Sequence, residues 1–461
     1  MCLRYARAMN NPDLVSWEML AAWPVLVILL MWIDRRHGDA PLFLAYAYIA
    51  SLAVNHWFGG LVHSFPWKPF INSADTVSGF EEATLGLAAF VAGAAMLPKV
   101  LVALAERKQS ANRGGAAEGG RIATILVVTG VLSFVASSTV IASLPSMGAI
   151  LSGGQQMLIA GLCLKCWLAW QINDKRVFTR WLALAFMFPI YTTLFQGFLG
   201  YGIAFLMTIL IFIGTFYRPR WHVFGGAVLG VLIGLSVYAS YASNRDNIRA
   251  QVWGGQAMEN RFEALGKMLD EMGPFDFTNP RHLMLVDLRL NQNQLVGAGI
   301  HYVPDFHDYA NGETLYMALI ALVPRALWPD KPVTAGSMGL VSVYTGIQFA
   351  GSTSVGIGQV LEFYINFGHP GVIVGFFILG LMIRYIDLRL SKCLRQGAWN
   401  EVGLWFGVGA AALNPLGQLV EVTASMGAAA LVGVVLVRYS ESRAAGQHAI
   451  RARDINNRQQ H

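Results

Sequence analysis

The sequence predicts an all-α polytopic membrane protein with about eleven transmembrane helices and one large external loop that contains short amphipathic helices. Two observations support this fold class. Of the 461 residues, 55% are hydrophobic and only 13% are charged, whereas soluble domains carry about 25% charged residues. The apolar residues also form repeated stretches of about 20, the length that crosses a bilayer as a helix. The net charge of +6 comes from loops between these stretches, so we expect no nucleic-acid partner.

The predicted spans follow the apolar stretches along the chain. They cover residues 15–33, 41–61, 80–103, 122–142, 149–171, 181–197, 201–217, 221–243, 370–388, 400–418 and 423–438. The charged run Asp34-Arg35-Arg36 follows the first span, where a small-residue cleavage site would end a signal peptide, so this span is predicted to remain as an anchor. The stretch 181–217 is interpreted as a hairpin of two spans broken at "GFLGYG".

Basic residues predict the orientation, because the cytoplasmic loops of membrane proteins carry an excess of Lys and Arg. One alternating set of loops is rich in these residues, beginning with Arg35 and Arg36, and so is the C-terminal tail. The opposite set of short loops holds only Arg4, Arg7 and Lys68. We therefore expect the basic set to be cytoplasmic, with the N-terminus outside and the C-terminus inside.

The chain is predicted to form a single transmembrane domain over residues 12–440, which includes a large external loop region at 244–369. The stretch 106–121 is rich in Gly, Ala and charged residues and is predicted to be a flexible cytoplasmic linker. The polar segment 441–461 has no apolar periodicity and is predicted to be a disordered cytoplasmic tail.

Two stretches of the external loop are predicted to be short helices. In "AMENRFEALGKMLDEM", one helical face carries Met258, Phe262, Leu265, Leu269 and Met272. Such a helix suits the membrane surface or a cap on the bundle. "TLYMALIALVPRALW" is apolar for about ten residues, which is too short for a span and typical of a re-entrant or interfacial helix.

The decapeptide "VPRALWPDKP" holds Arg325, Asp330 and Lys331 between three prolines. Each proline lacks an N–H and restricts the residue before it, so a stiff turn is expected to hold the two cations. Arg binds phosphate oxygens through a planar fork and Lys acts as a point charge, so the pair is a candidate phosphate site. An interfacial anchor that reaches the lipid headgroups is the alternative. Arg245 and Arg249 either join this cationic cluster or anchor the surface.

A second polar stretch, "GIGQVLEFYINFGHPGV", precedes the predicted span at 370–388. Its Glu362 is the candidate general base, because a carboxyl among aromatic residues at the membrane edge is suited to accept a proton near neutral pH. A structural ion-pair partner for Arg325 or Lys331 is the alternative. Tyr364 and Asn366 follow Glu362 in the sequence and are candidate substrate contacts.

Three further polar residues of the external loop are candidate substrate contacts. Glu313 and Asp330 flank the apolar stretch and Arg325, and they are the substitutes for Glu362 as the base. His307 lies in "GIHYVPDFHDY", a loop expected to be wet and in reach of a polar ligand. The His and Asp spacing of this loop matches no standard site, so we predict no metal.

At these residues the chain resembles the O-antigen and exopolysaccharide repeat-unit polymerases of the Wzy type. The resemblance rests on "GETLYMALIALVPRALWPDKP", followed about thirty residues later by "GIGQVLEFYINFGHPGVIVGFFILG". One branch of that family shows a Pro-Arg-x-x-Trp-Pro-x-Lys-Pro run and then Glu-x-Tyr-x-Asn-x-Gly at the head of a span. The match covers residues 313 to about 380 well, and elsewhere it is one of topology.

The resemblance implies an inverting glycosyltransferase on the outer, periplasmic face of the bacterial inner membrane, with a fold like that of other lipid-linked-sugar transferases (GT-C-like). It would transfer a growing glycan from undecaprenyl diphosphate onto a fresh lipid-linked repeat unit. The implied partners are this lipid-linked oligosaccharide, membrane lipid, a chain-length regulator and a flippase. Fixed Arg and Lys residues would stabilise the diphosphate leaving group. We expect no metal and no cofactor.

Two other functions fit parts of the sequence. An O-antigen ligase uses the same donor with a different acceptor, and the residues do not separate it from a polymerase. A transporter of polyprenyl-linked glycans or solutes would be favoured by charged residues inside spans. Glu81 and Glu82, however, stand at the outer end of a predicted span, and Lys165 can extend toward the cytoplasm.

Overall fold

The computed structural model describes residues 14–37, 43–65, 67, 72–96, 115–137, 139–140, 147–217, 220–323, 328, 330–332, 336–349 and 355–438. Across these ranges the chain is built of helices and contains no β-strand, which confirms the all-α class. The helices α1 to α9 are Trp17–His37, Phe43–Val62, Ser73–Ala95, Ala116–Ser137, Met147–Gln171, Lys175–Gln196, Leu199–Phe216, Arg220–Trp253 and Met258–Asp270. The helices α10 to α16 are Pro280–Leu290, Asn293–Tyr302, Glu313–Ala321, Ser337–Thr345, Gln359–Gln396, Trp399–Ala411 and Leu419–Arg438.

Eight of the described helices are long and apolar enough to cross a membrane, namely α1, α4, α5, α6, α7, α8, α14 and α16. The protein is therefore a helical membrane protein. The other three predicted spans also coincide with helices, and α2 and α3 are 20 and 23 residues long. In contrast, α15 has 13 residues, fewer than the roughly 20 that a span needs. The number eleven stays a prediction.

The α15 region differs from the predicted span at 400–418. The helix ends at Ala411, and residues 412–418, "ALNPLGQ", form turns and irregular backbone. Pro415 accounts for this end, because proline removes an N–H and disfavours helix in the residue before it. Two carbonyl groups of this loop bind the start of α14: Pro415 and Leu416 accept hydrogen bonds from the N–H groups of Gln359 and Gly358.

The break predicted at "GFLGYG" is confirmed. Helix α6 ends at Gln196, and Gly197 follows with φ +75°, a left-handed backbone that closes helices and that only glycine adopts at little cost. Helix α7 then begins at Leu199 and packs against α6.

Helix α14 consists of two pieces, α14a (359–366) and α14b (369–396). Phe367 and Gly368 between them have non-helical backbone angles, and the φ of Gly368 is +62°. The chain reverses at this break, because a Cβ built on Gly375 would lie 2.4 Å from the Phe363 ring. The predicted start of a span near residue 370 therefore corresponds to α14b, and α14a is a separate short helix that packs beside it.

The predicted amphipathic helix over 258–272 is confirmed as α9, Met258–Asp270. Its apolar residues divide between two sides. Met268 is buried against Tyr241 and Ile248 of α8. Phe262 and Leu269 are 55% and 49% exposed, and such a free apolar face suits contact with a membrane surface.

The linker prediction for 106–121 is wrong over residues 116–121, which form the first turns of α4. Gly119 packs there against the ring of Trp399. That contact with α15 explains the order, which a local Gly/Ala-rich composition does not predict. Residues 106–114 and the predicted tail, 441–461, lie outside the described residues.

One hydrophobic core joins α1 to α7 with α11 to α16. Helices α3 and α11 approach at glycines on both sides. A Cβ on Gly79 would lie 1.9 Å from the Asn293 carbonyl oxygen, and a Cβ on Gly297 would lie 1.9 Å from the Asp75 carbonyl oxygen. Both obstacles are backbone atoms, so α11 is held against α3 at a distance that admits no side chain.

We expect Gly297→Ala to destabilise the protein by about 3 kcal/mol or more, because overpacking against rigid backbone forces the two helices apart. Gly266→Ala is the matched control. No atom lies within 4 Å of a Cβ at Gly266, and alanine is the better helix former by about 0.5–1 kcal/mol. The melting temperatures of the two purified variants measure both effects, and size-exclusion chromatography checks that each variant is folded and not aggregated. Equal melting temperatures for the two variants would contradict the close approach.

Candidate functional site

Glu362 lies in α14a and is completely buried, with 0% exposure. Its Oε2 accepts a hydrogen bond of 2.6 Å from the backbone N–H of Leu419, the first residue of α16. The first N–H groups of a helix have no partner within the helix, and the helix dipole favours a negative group there. Oε1 has no hydrogen-bond partner among the described residues. Glu362 therefore fixes α14a to the start of α16.

Asn366 joins the two motif segments of the sequence. It is fully buried, and its Nδ2 donates to the Thr314 hydroxyl and to the Glu362 carbonyl, both at 2.7 Å. Its Oδ1 accepts from the N–H of Gly312 at 2.9 Å. The segment that begins "GETLYM" is thus held directly against "LEFYINFG". The spacing in sequence becomes contact in the fold.

Tyr364 lies on the face of α14a opposite Glu362 and Asn366. Its ring stands edge-on to His369, with the ring centroids 5.4 Å apart. His369 in turn pairs with the buried Glu82 of α3, whose Oε2 is 2.5 Å from its Nδ1. Tyr309 packs nearby, with its ring centroid 6.4 Å from that of Tyr364. Neither Glu82 nor His369 was predicted as a site residue.

The charged decapeptide is described only in part. Arg325 lies outside the described residues. Lys331 donates from Nζ to the carbonyl oxygens of Val323 and Ala321, at 3.0 and 3.4 Å. These carbonyls belong to the end of α12, where a cation is favoured by the helix dipole. Asp330, the residue before Lys331, is exposed.

The predicted cations of α8 have different surroundings. Arg249 is 8% exposed, and its Nε donates to the carbonyl oxygen of Gly197 at 3.3 Å. Its guanidinium lies 4.4 Å over the Phe198 ring and 4.9 Å over the Trp253 ring. Arg249 therefore closes the break between α6 and α7, and it brings a positive charge to "GFLGYG". Arg245 is 4.0 Å from Asp246 on the same helix.

His307 and Glu313 meet around Tyr344 of α13. The His307 and Tyr344 rings are 4.7 Å apart between centroids, and His307 is also bonded to the Asp308 carbonyl oxygen at 2.8 Å. Burial first, and then the negative charge of Glu313, raise the pKa of the Tyr344 hydroxyl. Tyr344 therefore stays protonated as a hydrogen-bond donor at neutral pH. Across the described residues, no group of three or more His, Cys, Asp or Glu could hold a metal ion.

A buried polar network, also absent from the sequence-based predictions, supports the short helices α10 and α11. His63 Nε2 is 2.7 Å from Oδ1 of Asp287, which also accepts from Asn291 at 2.8 Å. Asn293 donates to the carbonyl of His56 at 2.8 Å. His63 and Asp287 are each 1% exposed, so this network holds α10 and α11 on α2 and offers no access to a substrate.

The region that contains these clusters matches a protein-family model. Residues 75–394, more than half of the chain, match the family described as "Domain of unknown function (DUF8712)". The chain belongs to the DUF8712 family. No curated protein and no solved structure matches the chain.

In this DUF8712 protein the matched region begins in α3 and ends in α14b, so it includes Glu82, the Gly312–Thr314 segment and both pieces of α14. Two faces of α14a are chemically distinct. One carries the buried carboxyl of Glu362, and the other leads to the exposed imidazole of His369, which pairs with the carboxyl of Glu82. Such groups can position a polar ligand and accept a proton.

Proposed function

We propose that the protein polymerises undecaprenyl-diphosphate-linked oligosaccharide repeat units into O-antigen or exopolysaccharide. The observation that carries the proposal is the junction made by Asn366, which holds the Gly312–Thr314 segment against Glu362. These are the two sequence segments that resemble the repeat-unit polymerases, and a joint function requires that they lie together. The reaction is an inverting glycosyl transfer without a metal.

Two chemical tasks define the reaction. The diphosphate leaving group gains negative charge, which fixed cations stabilise in a site of low dielectric. Arg325 and Lys331 are the proposed cations, and Arg245 and Arg249 belong to the same proposed binding surface with Glu313, Asp330, Tyr364, Asn366 and His307. The acceptor hydroxyl must also lose its proton. Glu362 stays the sequence-based candidate for this base, through the unpartnered Oε1.

The proposed orientation places the external helices α9 to α13 on the periplasmic side of the bacterial inner membrane. The basic loops and the C-terminus are then cytoplasmic. A lipid-linked donor would reach the site from the membrane, beside the exposed apolar residues Leu319 and Leu322 at the end of α12. Membrane lipid, a flippase and a chain-length regulator are the proposed partners.

Deletion of the gene separates the polymerase from an O-antigen ligase and from a transporter. A polymerase mutant should display single repeat units on its surface glycan or lipid carrier, because ligation and export continue. A ligase mutant should instead accumulate polymer on the carrier, and a mutant in export should retain the lipid-linked units on the cytoplasmic side. Electrophoresis of surface glycan and mass spectrometry of extracted carrier lipids measure these outcomes. Polymer of normal length in the mutant would contradict the proposal.

A further inference from the structure

A buried carboxylate and an exposed imidazole form a pair where α14b begins. Nδ1 of His369 lies 2.5 Å from Oε2 of Glu82, the side chain of Glu82 is 3% exposed and that of His369 is 57% exposed. The pair connects α3 to the first residue of α14b, 287 positions further along the chain. It therefore arises from the tertiary fold and not from local sequence.

The carboxylate determines which ring nitrogen carries the proton. When Glu82 is ionised, it accepts the Nδ1–H of His369, and Nε2 then keeps its lone pair. No hydrogen bond to Nε2 is found among the described residues. The exposed ring thus presents a proton acceptor to its surroundings, and the buried carboxylate can stabilise the imidazolium that forms when a proton arrives.

The backbone around His369 is fixed. Gly368 has φ +62°, and Tyr309 Oη lies 3.0 Å from the position of a Cβ on Gly368, so neither the turn nor its neighbour admits another residue easily. The edge of Tyr364 packs on the imidazole. His369 is therefore held beside α14a, the helix that carries Glu362 and the Asn366 junction.

We propose that His369, oriented by Glu82, is the catalytic base that deprotonates the acceptor hydroxyl. This inference rests on the glycosyl transfer proposed above. The acceptor oxygen forms a bond to the anomeric carbon of the donor, and the bond from that carbon to the diphosphate oxygen breaks. Its electron pair leaves with undecaprenyl diphosphate. The hydroxyl proton moves to Nε2 of His369 and is later released to water.

Access distinguishes His369 from Glu362. A base must come within about 3 Å of the proton that it takes. Glu362 is 0% exposed and has one oxygen committed to the Leu419 N–H. In this proposal Glu362 is a positioning residue that holds α14a, and His369 is the group that meets the acceptor.

Another exposed pair supplies a matched control. Nδ1 of His301 lies 2.6 Å from Oδ1 of Asp75, and the His301 side chain is 52% exposed. It has the same pairing between α11 and α3, but among the described residues no hydrogen bond or ring contact joins His301 to α14a. Its removal tests whether any exposed His–carboxylate pair contributes through stability alone.

The test uses the full-length purified protein in vesicles. The probe is the undecaprenyl-diphosphate-linked repeat unit extracted from cells that lack the gene. His369→Ala should lower the extension rate by roughly 10²–10⁴, and added imidazole should restore part of it, because a small base can occupy the vacated space. Glu82→Gln should lower the rate by a smaller factor. His301→Gln should extend the probe like the parent.

The outcomes separate this inference from the proposed function. If the parent does not extend the probe, the proposed function fails and the base assignment fails with it. If the parent extends the probe and His369→Ala does so at the same rate, only the assignment of His369 is overturned. The assignment is also overturned by a second result. In that result His369→Ala loses activity without rescue by imidazole, its melting temperature falls, and His301→Gln loses as much activity. Should His369→Ala not fold, the same rate comparison is made with His369→Gln and Glu82→Gln, and parent-like extension by both overturns it.

Discussion

Arg325→Lys should lower the extension rate by about 10²–10³, the usual effect of losing one fixed donor on developing charge. The substitution keeps the positive charge but removes the planar fork that binds two phosphate oxygens at once. An interfacial anchor would tolerate the change, since lysine also reaches the headgroups. Polymer length in cells and extension of the lipid-linked repeat unit by purified protein both measure the effect.

Arg281→Lys is the matched control for this prediction. Arg281 is exposed in the first turn of α10, in the segment 244–369 that is proposed to be external. This variant should form polymer of normal length. If Arg325→Lys does the same at equal protein level, Arg325 is an anchor and the phosphate assignment is wrong.

Glu362→Ala should destabilise the protein strongly, whereas Glu362→Gln should fold and retain most of its extension rate. Alanine leaves the Leu419 N–H buried without an acceptor, at a cost of about 1–3 kcal/mol, and it also opens a cavity in the core. Glutamine still offers an oxygen to that N–H. Melting temperature and extension rate, measured on the same preparations, separate the two effects.

The sequence-based hypothesis that Glu362 is the base predicts a different result. Glu362→Gln would then fold and bind the donor but lose roughly 10²–10⁴ in rate. Glu263→Gln, a change at an exposed position of α9, is the control for the loss of one negative charge in the segment 244–369. If Glu362→Gln folds but is inactive, the catalytic base is Glu362 and not His369.

The elements that sequence predicts well are those with a local cause. The break between α6 and α7 follows from a glycine that must adopt positive φ, and α9 follows from the helical spacing of its apolar residues. The limits of α15 were predicted less well, because apolar composition alone extends the span beyond Ala411 into a loop that contains a proline. A hydropathy pattern marks apolar segments, but the loop carbonyls at 415–416 have partners that only the fold supplies.

The candidate site was predictable on one face of α14a and not on the other. Glu362 and Asn366 belong to a motif that is visible in the sequence. The hydrogen bond from Asn366 to Thr314 connects this motif to the other segment that resembles the repeat-unit polymerases. Glu82 and His369 are separated by most of the chain. Glu82 lies near the middle of α3 and His369 at the start of α14b, and each alone is an ordinary polar residue. No spacing rule connects them, because their pairing depends on how α3 packs against α14.

A protein that transfers a glycan between undecaprenyl diphosphate carriers should lengthen lipid-linked repeat units without any other protein. Purified protein in vesicles is supplied with lipid-linked repeat units from the deletion strain, in the presence of a metal chelator, and the products are separated by size. We predict a ladder of glycans that grow by one repeat unit, with one undecaprenyl diphosphate released at each step. If folded protein leaves the lipid-linked repeat units unchanged in length, it does not transfer a glycan between these carriers.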